Sequence, residues 1–271
     1  MRVAHVSCVN LPEPDFDESL TVEAFRNRGH EIEVVAWDGE VEWQAFDVAI
    51  IRSTWNYPEV PTEFAGWVQF VSQQTRLLNP ADVVLWNLDK HYLAELDVPV
   101  VPTTFGTSGE IELPAEGKFV VKPTIGAGSM DTRVFESGEI SQAKDWLDEF
   151  PKSKGFMVQP FLESVLTVGE QSIVCIGKTP MHRIEKRPRF VGQDESVTGP
   201  FPVEDEFVLI AEKALERFAT LLYARVDLIQ CEGTWLLSEL ELIEPSLFLL
   251  QNPEALGPFV EETERLVSRL T

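Results

Sequence analysis

Acidic side chains at strand spacing stand near the end of this 271-residue chain, in SELELIEP at 238–245. In an extended strand, residues two apart share a face at a spacing of about 6–7 Å. Glu239 and Glu241 therefore point one way, while Leu240 and Leu242 point into a core. Upstream, RVDLI at 225–229 carries Arg225 and Asp227, and CEGT between the two segments has the composition of a hairpin turn. If Glu232-Gly233-Thr234 is a three-residue loop with glycine supplying a positive φ, then Cys231 faces Trp235 and Asp227 faces Glu239. Three carboxylates then converge on one face. Opposed like charges destabilise a sheet, so the pattern asks for a counter-charge. Magnesium, which prefers hard oxygen ligands, fits. A solvated edge strand gives the same alternation, yet it leaves Asp227 in register and Arg225 on the same face without a reason.

Cations in three segments complete the chemistry. Lys90 in WNLDKHYL falls in the first turn of a predicted helix capped by Asn87, where free amide N–H groups favour an anion. Lys122 ends the strand-like KFVVKP and precedes IGAGSMD, whose small residues let backbone N–H groups approach a phosphate. No GxxxxGK[ST] is present, so a Walker loop is excluded, and an ordinary hairpin carrying a lysine remains the plain alternative. HRIEKRPRF at 182–190 is the densest basic stretch. Its Lys186 and Arg187 suit either phosphate or acceptor contact, or surface ion pairs.

Composition narrows the partners. The chain has 45 acidic against 22 basic residues and a net charge of −23, a field that repels nucleic acid and anionic membranes. No apolar run reaches the roughly 18 residues of a membrane span. MRVAHVSCVN lacks the features of a signal peptide, so a cytoplasmic location is expected. Three dispersed cysteines and four dispersed histidines show no metal-ligand spacing. Reduced, buried thiols are expected.

The elements that must position these residues follow from periodicity. RVAHVSCVN, EIEVVAW and FDVAIIRS read as strands, with SLTVEAFRNRGH between the first two as a helix ended at Gly29. Such a strand–helix–strand order implies a right-handed parallel unit. Ligands gather at the carboxyl ends of its strands, which here carry RSTWNYP at 52–58. EFAGWVQFVSQ is a helix, and Asn79-Pro80 a turn. From residue 99 onward the texture becomes strand, glycine-bearing loop, strand, then the helix SQAKDWLDEF. FMVQPFLESV, EQSIVCIG and KTPMHRIEKRP are strands, FVLIAEKALERFATLL is a long helix, and GPFVEETERLVSRL is a surface helix. Domain boundaries of 1–82, 83–156 and 157–271 are expected.

Together, Lys90 in WNLDKHYL, Lys122 in VVKP, the loop IGAGSMD, the segment VQPFLES with Gly169-Glu170, and RVDLI followed by SELELIEP resemble the ATP-grasp superfamily, in its glutathione synthetase and ribosomal-protein-S6-ligase-like branch. The resemblance spans essentially the whole chain. It implies an α/β and α+β architecture: a Rossmann-like N-terminal domain, a small lid domain and a C-terminal catalytic domain.

It also implies ATP and two magnesium ions as cofactors. Lys90 and Lys122 would hold phosphates beneath a loop at Gly126, Gly128 and Ser129. Backbone groups around Gln159, Pro160, Phe161 and Leu162 would read adenine, and Glu170 or Glu163 the ribose. Asp227, Glu239 and Glu241 would hold metal, although the family usually has Asn where Glu241 stands. Arg225, with Lys186 and Arg187, would serve the reacting groups.

RSTWNYP, NPADVVLWNLDKHYL and KPTIGAGSMDT are most similar to the O-ureido-serine cyclo-ligase group of cycloserine biosynthesis. That likeness implies ligation of a small amino-acid carboxylate to an amine through an acyl phosphate, with cyclisation as one form. Arg52, Ser53, Trp55 and Asn56 are then candidate substrate contacts. A peptide- or protein-modifying ligase and a non-catalytic nucleotide-binding protein are the alternatives. A small-molecule partner is expected, and a homodimer stays open.

Overall fold

The computed structural model describes residues 1–128, 130–187 and 196–268. Its first sheet is parallel, with β1 (Arg2–Ser7), β2 (Glu31–Ala36), β3 (Val48–Ser53) and β4 (Arg76–Leu78) in the order β2-β1-β3-β4. Parallel neighbours need crossovers, supplied by α1 (Glu18–Asn27) and α2 (Pro61–Val71). With helices on both faces, every residue of β3 is buried, which explains its unbroken apolar start. On α2, Phe64, Trp67, Val68 and Val71 recur at helical spacing and pack against Trp37 and Trp43. Gly29 follows the end of α1 with φ +79°, as the sequence predicts.

A short helix, α3 (Ala81–Asn87), and a 3-10 turn at Lys90–Glu95 lead into a second sheet. Here the sequence expectation is corrected. Asn87 ends a helix instead of capping one, and Asp89 caps the 3-10 turn by accepting the His91 N–H at 3.0 Å. The second sheet is antiparallel: β5 (Thr104–Thr107), β6 (Phe119–Pro123), β7 (Arg133–Phe135) and β8 (Gly155–Pro160), ordered β5-β8-β6-β7. The helix α4 (Ile140–Leu147) closes one face over Phe119, Phe135 and Phe156. The expected boundary at 156 falls inside β8.

After a single turn of helix, α5 (Ser164–Thr167), a third sheet is built from β9 (Glu170–Ile176), β10 (Thr179–Arg187), β11 (Ser196–Phe201), β12 (Tyr223–Cys231) and β13 (Thr234–Glu241). All are antiparallel, in the order β11-β10-β9-β12-β13. The sequence reading assigns no strand over 196–201; β11 carries Gly199-Pro200, which an edge position tolerates. The helix α6 (Asp205–Leu215) covers one face through Phe207, Ala211 and Leu215.

The last helix, α7 (Leu256–Ser268), is more than a surface element. It buries Phe259, Val260, Thr263 and Leu266, and Phe259 meets Phe25 of α1 edge-on at 6.0 Å. One core therefore runs from the first sheet into the third, through Val3, Ile50, Val174, Tyr223 and Phe259. Cys8 and Cys175 are buried free thiols and Cys231 is a half-buried one. Among the described residues no helix is long and apolar enough to cross a membrane.

Candidate active site

The acids of the last hairpin do converge, by a different local geometry from the one the sequence suggested. Glu232 and Gly233 form a two-residue turn with φ +49° and +81°, so Cys231 pairs with Thr234, not with Trp235. A turn one residue shorter would put Asp227 out of register with Glu239. The register shift at Asp227/Leu228 corrects this: Leu228 pairs with Leu237 and Asp227 with Glu239, leaving Ser238 as the extra residue. Ser238 Oγ donates to the Asp227 carbonyl at 3.0 Å. The next pair, Arg225 with Glu241, follows on the same face.

Two asparagines hold this hairpin from outside the third sheet. Asn87 Nδ2 donates to the Leu240 carbonyl at 2.8 Å, and its Oδ1 accepts the Leu242 N–H at 2.7 Å. Asn79 likewise donates to the Tyr223 and Leu242 carbonyls and accepts the Leu222 N–H. β13 is thereby fixed where the acids turn toward a cavity of about 470 Å³.

Each acid is matched to a buried cation. Arg225 Nε and Nη2 donate to Asp227 Oδ1 and Oδ2 at 2.9 and 2.8 Å, and Nη2 also bonds Glu241. Lys186 Nζ lies 3.1 Å from Asp227 Oδ2 and 2.6 Å from Glu170 Oε1. Lys90 Nζ lies 3.1 Å from Glu239 Oε1 and donates to the Gly126 carbonyl at 2.7 Å, so one lysine links the acidic hairpin to the glycine loop. Lys122 lines the same cavity with no carboxylate within ion-pair reach among the described residues.

Electrostatics differ sharply from acid to acid. Burial opposes ionisation of Asp227, but Arg225 and Lys186 hold its carboxyl far below the usual range. Burial also opposes ionisation of Glu239, and Lys90 with Lys122 overrides it, leaving the carboxyl depressed. Glu241 is pushed up to about 8, because burial and the nearby Glu239 and Asp227 outweigh Arg225. Glu244 is pushed up to about 7, chiefly by burial. Burial lowers Lys122, whereas Lys90 is raised because Glu239 outweighs its burial.

The residues suit a divalent cation by charge and donor type. Among the described residues, the cavity is lined by six carboxylates (Glu13, Glu170, Asp227, Glu239, Glu241, Glu244) and four cations (Lys90, Lys122, Lys186, Arg225). The Asp227, Glu239 and Glu241 carboxylates offer hard oxygen donors, which favour magnesium. No three acidic or ligating side chains already form a ligand cluster among the described residues, and Asp227, Glu239 and Glu241 each face a lysine or arginine.

The remaining predicted residues divide. Gly126 and Gly128 line the cavity; Ser129 lies outside the described residues. Glu170 lines it, held by Lys186 and Ser238 Oγ. Gln159, Pro160, Phe161, Leu162 and Glu163 do not line it, and Val120 and Val165 provide its apolar wall instead. Phe161 N–H is already donated to the Lys118 carbonyl, and Gln159 Nε2 donates to Thr103 Oγ1.

Arg187 is corrected as well. Strand alternation sends Lys186 inward and Arg187 outward, to Glu185 and the carbonyls of Leu166 and Thr167. Of the four substrate candidates only Trp55 lines the cavity. Arg52 is buried, with Nη2 donating to the Pro245 carbonyl at 3.0 Å, and Ser53 Oγ donates to Ser7 Oγ. Asn56 faces Trp37 and Asp38. Sequence reading assigned no role to Glu244, Tyr57 or Phe248, which line the cavity; Glu244 stood in the same acidic run and could have been flagged.

The fold is that of an ATP-grasp ligase. A D-alanine–D-alanine ligase from Bacillus anthracis, solved with ATP, superposes with a TM-score of 0.66 at 14% identity, covering 100% of this chain and 98% of that one. Closer likeness is specific. The cycloserine biosynthesis protein DcsG of Streptomyces lavendulae is 32% identical over 89% of this chain and 90% of its own length. Residues 3–79 match the family model described as D-cycloserine synthetase DcsG, N-terminal domain. A crystal structure of D-cycloserine synthetase DcsG superposes with a TM-score of 0.85 at 29% identity, covering both chains fully. The chain belongs to the DcsG family of ATP-grasp ligases. It is accordingly a C–N bond-forming ligase, of a class that uses ATP and magnesium.

Proposed function

We propose that this enzyme activates the carboxylate of a small amino-acid-like molecule as an acyl phosphate and delivers it to an amine, with intramolecular ring closure as the favoured form. The observation that carries the reading is one cavity in which Lys90, Lys122, Lys186 and Arg225 surround Asp227, Glu239 and Glu241. At about 470 Å³ the cavity has the dimensions of a small-molecule site. The DcsG relatives, described as acting in cycloserine biosynthesis, support a cyclic product.

In this reading, Lys90 and Lys122 bind ATP phosphates beneath Gly126 and Gly128, with adenine against Val120 and Val165. Glu170 would accept from the ribose hydroxyls. Asp227, Glu239 and Glu241 would hold two magnesium ions, which when bound neutralise phosphate charge. Arg225 and Lys186 stand where the terminal phosphate and the substrate carboxylate meet. A carboxylate oxygen attacks the terminal phosphorus and ADP leaves. The amine nitrogen then attacks the acyl carbon, the C–O bond to phosphate breaks, and the nitrogen gives up a proton. The chain's part is orientation and charge stabilisation; no side chain needs to form a covalent intermediate.

The test is ADP release with magnesium across D- and L-amino acids, followed by product mass. Acceptor-dependent release is expected, with Lys122→Ala lowering it at least hundredfold. Release indifferent to every acid offered, or unchanged in Lys122→Ala, sinks the reading.

A further inference from the structure

The cavity lining also includes Trp55, Tyr57, Ile243 and Phe248, together with Glu244, and the Arg225 guanidinium lies 5.8 Å from the Phe248 ring centroid. Glu244 is 8% exposed, and no side chain of another described residue bonds or pairs with its carboxylate. Burial pushes this carboxyl towards its neutral form, and a cation arriving beside it would stabilise the charged form, because buried charges are normally paired. The cavity's other acids with an assigned role already have partners: Asp227, Glu239 and Glu241 face Arg225 or Lys90, and Glu170 faces Lys186.

The position of Glu244 is also fixed from three sides. Its own carbonyl accepts Trp55 Nε1 at 3.3 Å. The next carbonyl, of Pro245, accepts Arg52 Nη2 at 3.0 Å, and that of Ser246 accepts Arg225 Nη1 at 3.5 Å. Buried Arg52, drawn over the Tyr223 ring at 5.2 Å, thus serves the site by holding this loop. Such support from behind is what a recognition group requires. Aromatic walls beside a carboxylate favour an organic cation over a metal ion.

We propose that the Glu244 carboxylate receives the charged amino group of the substrate, selecting an amino acid over a simple carboxylic acid and turning the reacting carboxylate toward Arg225. This rests on the ligase reading above and narrows its substrate class. Arg225 and Glu244 are tied through the same loop, so the two ends of a zwitterion are read by groups held in fixed relation. Glu244 is a recognition residue here, separate from the acids assigned to metal.

The test uses the full-length enzyme with magnesium and a non-hydrolysable ATP analogue. Calorimetric titration compares D-serine and L-serine with 3-hydroxypropionate, and D-cycloserine with isoxazolidin-3-one, which lack only the amino group. Wild type is expected to bind at least one amine tenfold or more tightly than its counterpart. In Glu244→Gln the preference falls below threefold, while affinity for the nucleotide analogue stays within twofold and Tm is equal or higher. Glu244→Asp, which keeps the charge one methylene short, retains part of the preference. A preference that survives in Glu244→Gln, or no preferred amine in wild type, overturns the assignment. So does equal loss in the Asp and Gln variants. ADP release by wild type in the same preparations separates the outcomes: its presence without amine preference removes only this inference, and its absence with every acid removes the ligase reading.

Discussion

Asp227 carries more of the site than any other side chain, because it balances two buried cations at once. Arg225 grips both its oxygens, and Lys186 lies 3.1 Å from one of them. Asp227→Asn keeps the shape and removes the charge, leaving Arg225 and Lys186 in excess. Breaking a buried pair in this way costs about 3–5 kcal/mol; urea denaturation should show a loss of that order, together with near-complete loss of ADP release. A denaturation midpoint matching wild type would mean that water reaches the pair more freely than its burial suggests. The Asp–Glu–Glu grouping was legible in the sequence because strand alternation is a short-range rule. Which arginine or lysine would face which acid was not, since those partners come from different strands.

At the scale of elements, the hairpin gives a right pairing through a wrong turn. The sequence supports a three-residue loop as easily as a two-residue one, and nothing in SELELIEP marks Ser238 as a bulge. The two errors cancel, so Asp227 still meets Glu239. Glu232 occupies φ +49°, a conformation that favours asparagine or glycine at this turn position. Glu232→Asn should stabilise the protein by up to about 1 kcal/mol, read as a higher denaturation midpoint with unchanged turnover. The asparagines teach the opposite lesson. Asn79 and Asn87 sit where turn and cap residues are common, and their true partners lie in and beside β12 and β13, far along the chain. Asn87→Ala would strand the buried Leu242 N–H and Leu240 carbonyl and cost about 2–4 kcal/mol. It should also weaken magnesium-dependent nucleotide binding, because β13 carries Glu239 and Glu241.

For the molecule as a whole, the sequence separates three sheets, and the structure joins the first to the third through one core. Local periodicity cannot reveal this, since α7 shows only an amphipathic pattern and its partner helix α1 lies at the other end of the chain. His182 sits within the third sheet and ties it to the segment that follows β13. Its Nε2 donates to the Leu247 carbonyl at 3.1 Å, and Nδ1 accepts from Asn252 Nδ2 at 3.0 Å. Both partners suit a neutral ring, and burial holds its pKa down to about 4. Protonation therefore opposes folding. The contribution is complete above the unfolded value of about 6.5 and is lost as pH falls toward 4, about 3 kcal/mol in all. Denaturation midpoints should drop across that interval in wild type and much less in His182→Asn.

The tip of the final hairpin offers a practical opening. Glu232, Gly233 and Thr234 are exposed, the Ser238 bulge lies between them and Glu239, and the Asn87 clamp holds the strand just beyond at Leu240 and Leu242. Foreign sequence spliced between Glu232 and Gly233 should be absorbed before it reaches Glu239, making this spot a port for a dye or an affinity tag with which to watch the working enzyme.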